Sequence, residues 1–209
     1  MAELEALLHD LANLDAENDL DGLRRVREQI VAEHSGSEAA VEALYKLGLD
    51  ALFRQRQMEA AMDKFQQAAK RKHPFWSPAA RTSLGLCYFH QKRTQKALFE
   101  LRRVAYPETP SPHSVTALSF IEAIYAEEQN AQEMLKVRKE RINQLEKLIA
   151  EAKVNHKPAE RAYYLYSLAL AQRDNGEKRA AEKNLQEAKK LGPDVIGADL
   201  YRSIVEQLN

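Results

Sequence analysis

The sequence predicts an all-α fold, a right-handed α-solenoid of stacked helix-turn-helix repeats closed by a C-terminal capping helix. Self-similarity is the first observation, because successive units begin in steps of 37 residues, at Leu7, Leu44, Arg81 and Leu118. A second observation is that all seven prolines fall in gaps between periodic segments. Each unit reads as one helix pair that cannot bury its apolar face alone, so neighbouring units must stack.

The prolines delimit the helices in order. A proline inside a helix costs about 3 kcal/mol, so the segments between prolines are the predicted helix pairs. These run over 3–16 with 19–34, 38–54 with 57–72, 77–91 with 94–105, 112–128 with 130–153, and 158–173 with 177–190. Pro193 and Asp194 mark the start of a last helix.

These pairs predict one solenoid domain spanning residues 1–209. It consists of a degenerate N-terminal helix pair at 1–36, repeats at 37–76, 77–111, 112–157 and 158–193, and a capping helix at 194–209. A solenoid needs such a cap, because its end repeats would otherwise expose an apolar face.

Two glycines lie in predicted helix interiors, at Gly48 and Gly85. Glycine there costs about 1 kcal/mol relative to alanine, so a packing reason is expected. We expect the second helix of each pair to press closely against these positions, with Ala97 and Ala181 as the small residues on the partner side. In the next unit Glu122 stands where this glycine is expected.

These residues resemble the tetratricopeptide repeat family. One copy of its pattern is Leu84, Gly85, Tyr88, Ala97, Leu101 and Val104, and another is Leu165, Leu168, Ala169, Gly176, Ala181, Leu185, Ala188 and Pro193. Units 77–110 and 161–194 match well, 41–74 has one extra residue, 112–153 is degenerate, and 1–34 keeps only the helix rhythm. The resemblance implies a protein that binds other proteins through the concave face lined by the first helices.

On each first helix, one stripe of residues packs against the second helix, as Leu44, Leu47, Gly48 and Ala51 do in the repeat at 37–76. The neighbouring stripe on the same helices predicts the partner-binding groove. Its residues are Tyr45, Leu49, Leu52, Thr82, Leu86, Phe89, Ser119, Ala123, Tyr163, Tyr166 and Leu170. Family members that grip acidic chaperone tails use lysine, asparagine and arginine there, and no cation occurs in this stripe. An apolar peptide or an amphipathic helix is therefore the expected ligand. The alternative is a groove filled by the chain itself, through Val195, Ile196, Leu200, Ile204 and Val205 of the last helix.

The chain has no formal net charge, but its charges are segregated. The segment 70–103 holds a basic edge made of Lys70, Arg71, Lys72, Lys92, Arg93, Lys96, Arg102 and Arg103. These residues belong to loops on opposite edges of a solenoid, so we expect two clusters rather than one nucleic-acid surface. Residues 1–34 hold nine acids and three bases, so the N-terminal helix pair is acidic while segment 70–103 is basic. This contrast suggests charge pairing between protein surfaces, including those of two copies.

Catalytic and metal sites are not predicted. The sequence has no phosphate-binding loop, nucleophile elbow or His-Glu-x-x-His segment, and its six histidines lack metal-ligand spacing. We expect no cofactor. The single cysteine, Cys87, is expected to be a small buried apolar residue. No secretory signal or membrane-spanning run is evident, so the expected location is the cytoplasm.

The second helix of the degenerate repeat is predicted to be long, from Asn130 to Lys153. Its apolar residues recur at heptad-like spacing and form an apolar seam that Arg138 interrupts. This helix could pack under the next repeat, or its seam could form a homodimer contact, and the sequence is compatible with either arrangement. The predicted function is that of a non-catalytic adaptor or scaffold with a protein partner. The alternatives are a chaperone for a secretion- or pilus-type subunit, and binding of nucleic acid or an acidic protein through segment 70–103.

Overall fold

The structure, a computed structural model, describes residues 2–192. Within that range every regular element is a helix, which confirms the all-α prediction. The ten helices are α1 (Ala2–Ala16), α2 (Leu20–Glu33), α3 (Glu38–Phe53), α4 (Met58–Ala69), α5 (Trp76–His90), α6 (Thr94–Ala105), α7 (Pro112–Glu127), α8 (Ala131–Val154), α9 (Pro158–Asp174) and α10 (Lys178–Leu191). The predicted capping helix at 194–209 lies outside the described residues.

The chain forms two compact units, Met1–Val104 (the first unit) and Ala105–Asn209 (the second unit). Within each unit, helices that are neighbours in sequence pack against each other, as in α3 with α4 and α9 with α10. This is the stacked helix-pair arrangement expected of a repeat protein. The single continuous domain inferred from the sequence remains a prediction.

The helix ends lie within three residues of their predicted positions, because local signals set them. The Ser37 side chain accepts a hydrogen bond from the Ala40 amide, and Ser111 and Ser114 form a reciprocal capping box. One expectation was wrong in detail: Pro78 lies inside the first turn of α5 rather than between helices. Proline is tolerated there because first-turn amides have no intrahelical acceptor.

The two interior glycines mark close helix contacts, as the sequence predicts. A Cβ added at Gly48 would lie 2.5 Å from Cε1 of Phe65, and one at Gly85 would lie 2.7 Å from Cγ of Leu101. Phe65 and Leu101 are completely buried. The ring of Phe65 and the branched end of Leu101 therefore occupy the space that any larger residue on the first helix would need.

The second unit uses different chemistry at the equivalent position. Glu122 on α7 is buried, and its Oε1 accepts a hydrogen bond from Nε of Arg138 on α8 at 2.7 Å. The Arg141 guanidinium lies 3.1 Å from the other carboxylate oxygen. Arg138 also donates to the carbonyl of Asp174 at the end of α9. Burial lowers the pKa of Arg141 from its ordinary value, while the Glu122 carboxylate acts in the opposite direction. The Glu122–Arg138 pair thus joins three helices.

The long α8 confirms the prediction of an extended second helix, since it contains 24 residues against 12 in α6. Arg138, which interrupts the heptad-like seam, is buried against α7 and α9 rather than exposed. Leu145 and Leu148 of α8 pack with Tyr164 and Leu168 of α9. The face of α8 that carries these residues therefore packs within the second unit.

Candidate protein-binding surfaces

The predicted groove stripe of the first unit begins on α3. Tyr45 is half-buried between two aromatic rings, 5.9 Å from the centroid of Phe65 and 5.4 Å from that of Trp76. Leu49 and Leu52 are half-buried against the same core cluster. These side chains support the core with one face and present only their remaining surface to a ligand.

On α5 the residues of the groove stripe differ in solvent exposure. Thr82 is only 6% exposed, and its hydroxyl donates to the carbonyl of Pro78 at 3.0 Å, so this position belongs to the helix packing. Leu86 and Phe89 are half-buried and keep part of their apolar surface accessible. The ammonium of Lys92 lies 5.7 Å from the Phe89 ring centroid and covers one side of it.

The second unit presents the stripe on α7 and α9. On α7 the hydroxyl of Ser119 donates to the Thr116 carbonyl at 2.7 Å, and Ala123 is exposed. On α9 Tyr163 is 50% exposed, whereas Tyr166 and Leu170 are half-buried. Tyr166 and Leu170 pack on the cluster of Leu165 and Leu185, and burial raises the pKa of the Tyr166 phenol.

A cavity of about 300 Å³ on the N-terminal helix pair was not found by sequence reasoning. Leu8, Leu11 and Leu23 supply its apolar lining, and Arg27 and Lys46 its cations. Segment 1–34 lacks the repeat motif, so no groove stripe could be projected onto it. The available signal was the apolar spacing along α1, where Leu8 remains 44% exposed.

The basic edge separates into groups with different surroundings. Near the α5–α6 turn, Arg93 and Lys96 lie 5.5 and 5.8 Å from the ring centroid of Tyr88. Lys92, on the same turn, stacks on Phe89 as described above. The cations of this turn are therefore spread over aromatic rings rather than gathered around one site.

A second group lines a cavity of about 300 Å³ in the first unit, which we call the basic cleft. Its lining includes Arg71, Lys72, Arg81 and Arg103, with Pro74 and Pro78, and none of its lining residues is acidic. The remaining two predicted basic residues, Lys70 and Arg102, are exposed. The separation into two groups agrees with the sequence-based expectation, whereas the contribution of Arg81 from α5 to this cavity was not predicted.

The cysteine and the metal-ligating side chains of the described residues are further candidates for a chemical site. Cys87 is buried, as predicted, and burial raises its pKa to about 11, which keeps the thiol protonated at neutral pH. Across residues 2–192, no group of three or more His, Cys, Asp or Glu side chains is arranged to hold a metal ion. None of the helices in that range has the length and apolar character needed to cross a membrane.

The comparisons with known proteins agree with this architecture. Residues 50–111 match the model of the tetratricopeptide repeat family, which covers the end of α3 through α6. No curated protein sequence matches the chain.

Among solved structures, the chain is similar to the putative kinesin light chain, nearly identical TPR-like repeats, of Podosopora anserina. A form of these repeats with one substitution has a TM-score of 0.55 and 16% identity over 91% of this chain and 94% of that one. A second structure of these repeats has a TM-score of 0.53 and 16% identity over 90% and 94% of the two chains. The structure of MamA aligns with a TM-score of 0.46 and 17% identity over 87% and 93%. At these identities the likeness concerns the fold.

Proposed function

We propose that this chain, whose residues 50–111 match the tetratricopeptide repeat family, is a non-catalytic adaptor that binds one partner segment, since repeats of this type generally mediate protein–protein interaction. The ligand is an apolar peptide or an amphipathic helix, taken up by the groove stripe of the first helices. The proposal includes a cytoplasmic location and no cofactor.

The observation that carries the proposal is the set of half-buried apolar side chains at helical spacing on two first helices. Leu86 and Phe89 on α5, and Tyr166 and Leu170 on α9, are held by the core on one side and remain partly accessible on the other. Such side chains bind with little loss of conformational freedom, because packing has already restricted their rotamers. An apolar anchor that packs on either set of side chains gains about 25 cal/mol per Å² of buried surface.

Specificity would come from the hydroxyls near this stripe. Tyr163 is half exposed, so a partner backbone can exchange a hydrogen bond with its phenol while packing on its ring. A chaperone for a secretion- or pilus-type subunit is a narrower version of the same proposal, since such a client also offers an amphipathic helix. The alternative of nucleic-acid binding through the basic edge has less support, because the α5–α6 turn cations lie over aromatic rings and do not form one continuous surface with the basic cleft.

The test compares two double variants as baits in a native lysate and then with the purified client. Phe89→Ala/Tyr166→Ala removes the two rings of the groove stripe, and we expect client affinity to fall about tenfold or more. The matched control is Phe53→Ala/Phe99→Ala, which removes two rings that are 70% and 60% exposed outside the stripe. Circular dichroism establishes that both variants keep their helical content.

Salt provides the second readout. Binding by apolar anchors should change little between about 50 and 500 mM NaCl, whereas nucleic-acid binding weakens steeply over about that range. A client that binds the stripe variant and the control variant equally well would contradict the groove as the binding site.

A further inference from the structure

The basic cleft has an unbalanced charge that the proposed groove function does not use. Arg81 is already satisfied, because its guanidinium pairs with Glu100 at 2.8 Å and donates to the Ala69 carbonyl at 2.8 Å. Arg71, Lys72 and Arg103 are exposed at the same cavity. Arg71 and Lys72 also line a neighbouring cavity with Glu38, and the Arg103 guanidinium lies 5.5 Å from the Phe99 ring centroid. The three exposed cations still outnumber this one acid, so the surface suits an anionic partner.

The loop that carries two of these cations is held in place by side-chain hydrogen bonds. The Nδ1 atom of His73 accepts from the backbone amides of Phe75 and Trp76, at 3.1 and 3.0 Å. The Ser77 hydroxyl accepts from the His73 amide at 3.1 Å and lies 2.7 Å from the Arg71 carbonyl, to which it donates. Arg71 and Lys72 thus project from an ordered backbone, which lowers the entropy lost on binding.

A complementary surface exists on the same chain. Helix α1 carries Glu3, Glu5, Asp10 and Asp15 and has no lysine or arginine. These acidic side chains are exposed, and Leu8 between them is 44% exposed. An acidic helix with an exposed leucine fits a basic cleft whose remaining lining includes Ala69, Pro74 and Val104.

The two surfaces cannot meet within one molecule. Helix α1 packs on α2, α2 on α3 and α3 on α4, whereas the cleft is built from the end of α4, the following loop, α5 and α6. Two helices therefore lie between α1 and α4, and each helix layer adds about 8–10 Å. Charge pairing between these surfaces must be intermolecular.

We propose that the basic cleft binds the acidic helix α1 of a second copy of this chain. Because the two surfaces differ, the contact is heterologous, and a pair of molecules keeps one free cleft and one free α1 for further copies. The cations and acids are exposed, so the association depends on ionic strength. This self-association is separate from the groove function and uses none of its residues.

The experiment is sedimentation velocity of the full chain over a range of concentrations at about 50 and 500 mM NaCl. We expect concentration-dependent oligomers at low salt and an apparent dissociation constant about tenfold higher or more at high salt. Arg71→Glu/Lys72→Glu/Arg103→Glu replaces the three exposed cations and makes the cleft acidic, and Glu3→Lys/Glu5→Lys/Asp10→Lys makes α1 basic. Each variant alone should be monomeric, because its cleft and its α1 then carry the same sign of charge.

Mixing the two variants is the decisive step. An acidic cleft can then bind a basic α1, and a basic cleft an acidic α1, so the mixture should associate at low salt while its components do not. Circular dichroism and thermal unfolding establish that both variants are folded. The groove variant Phe89→Ala/Tyr166→Ala should associate as the unmodified chain does, so failure of one proposal is distinguishable from failure of the other.

Three results would overturn the inference: a monomeric unmodified chain at low salt, undiminished association of either charge-reversed variant, or a mixture that stays monomeric. A monomeric chain that binds a hexaglutamate peptide or a single-stranded oligonucleotide through the cleft would assign a different occupant and would also overturn it.

Discussion

The α5–α6 pair and the α7–α8 pair fill the same repeat position in opposite ways. At Gly85 the absence of a side chain lets Leu101 of the second helix approach to contact distance. At Glu122, 37 residues later, a carboxylate occupies the position and is matched by Arg138 and Arg141. A repeat position therefore constrains the space between two helices, and either a backbone contact or a buried ion pair can fill that space.

The two solutions differ in how they tolerate loss of a partner. A glycine contact depends on volume alone, so its weakness is overpacking. A buried ion pair depends on both partners, because a charge left alone in the interior keeps its full desolvation cost. The predictions below use this difference.

The largest effect is expected for Arg138→Leu. Removing the guanidinium leaves the Glu122 carboxylate without its 2.7 Å hydrogen bond and frees the Asp174 carbonyl. We expect the free energy of unfolding to fall by about 3–5 kcal/mol, measured by urea denaturation. The triple variant Glu122→Leu/Arg138→Leu/Arg141→Leu removes all three buried charges, including the guanidinium that lies 3.1 Å from Glu122, and should recover part of this loss. A loss below about 1 kcal/mol for the single variant would contradict a buried pair.

Gly85→Leu tests the close helix contact at the glycine of the α5–α6 pair. The new side chain would collide with Leu101 between α5 and α6, so we expect a loss of about 3 kcal/mol in the same assay. Gly36→Leu is the matched control, because a Cβ at Gly36 meets nothing within 4 Å. A change under about 0.5 kcal/mol at Gly85 would contradict the helix-pair assignment.

The thiol of Cys87, in the α5–α6 pair, should react slowly with thiol reagents. Burial raises the pKa of Cys87 from 9.0 to about 11. At pH 8 the thiolate fraction is then about 100-fold lower than at a pKa of 9, and the native chain should react with a thiol reagent at least about that much more slowly than in urea. Equal rates in the native and unfolded chains would show an open α5–α6 core.

The turns of the two pairs should respond alike, since both place a residue in the left-handed region. Lys92 has φ 59° in one turn and Gln129 has φ 56° in the other. Glycine adopts this conformation without strain, so Gln129→Gly should raise the free energy of unfolding by about 0.5 kcal/mol. Glu128→Gly, at the adjacent right-handed residue, is the control and should lower it. Equal destabilisation by both substitutions would contradict the turn geometry.

Much of the fold could be predicted from the sequence because its determinants are local or periodic. The prolines and the serines at 37 and 111 mark helix ends within a few residues of them. Gly48 and Gly85 predict close contacts because a helix-interior glycine is unfavourable unless a neighbour needs the space. The groove stripe follows from the same periodicity, and its role in binding stays a prediction.

What only the tertiary structure decided depends on residues far apart in sequence. Arg138 reads as an interruption of an apolar seam, yet it is the buried partner of Glu122, and that pairing required the rotation of α8 against α7 and α9. Thr82 reads as a groove hydroxyl, yet packing leaves it 6% exposed. The basic cleft combines Arg71 and Arg103, which are 32 residues apart. By itself the sequence determined the helices and their repeat, because backbone hydrogen bonding and apolar periodicity act locally. Packing decided which charges are buried, paired or gathered, because only close approach in space sets their solvation and their partners.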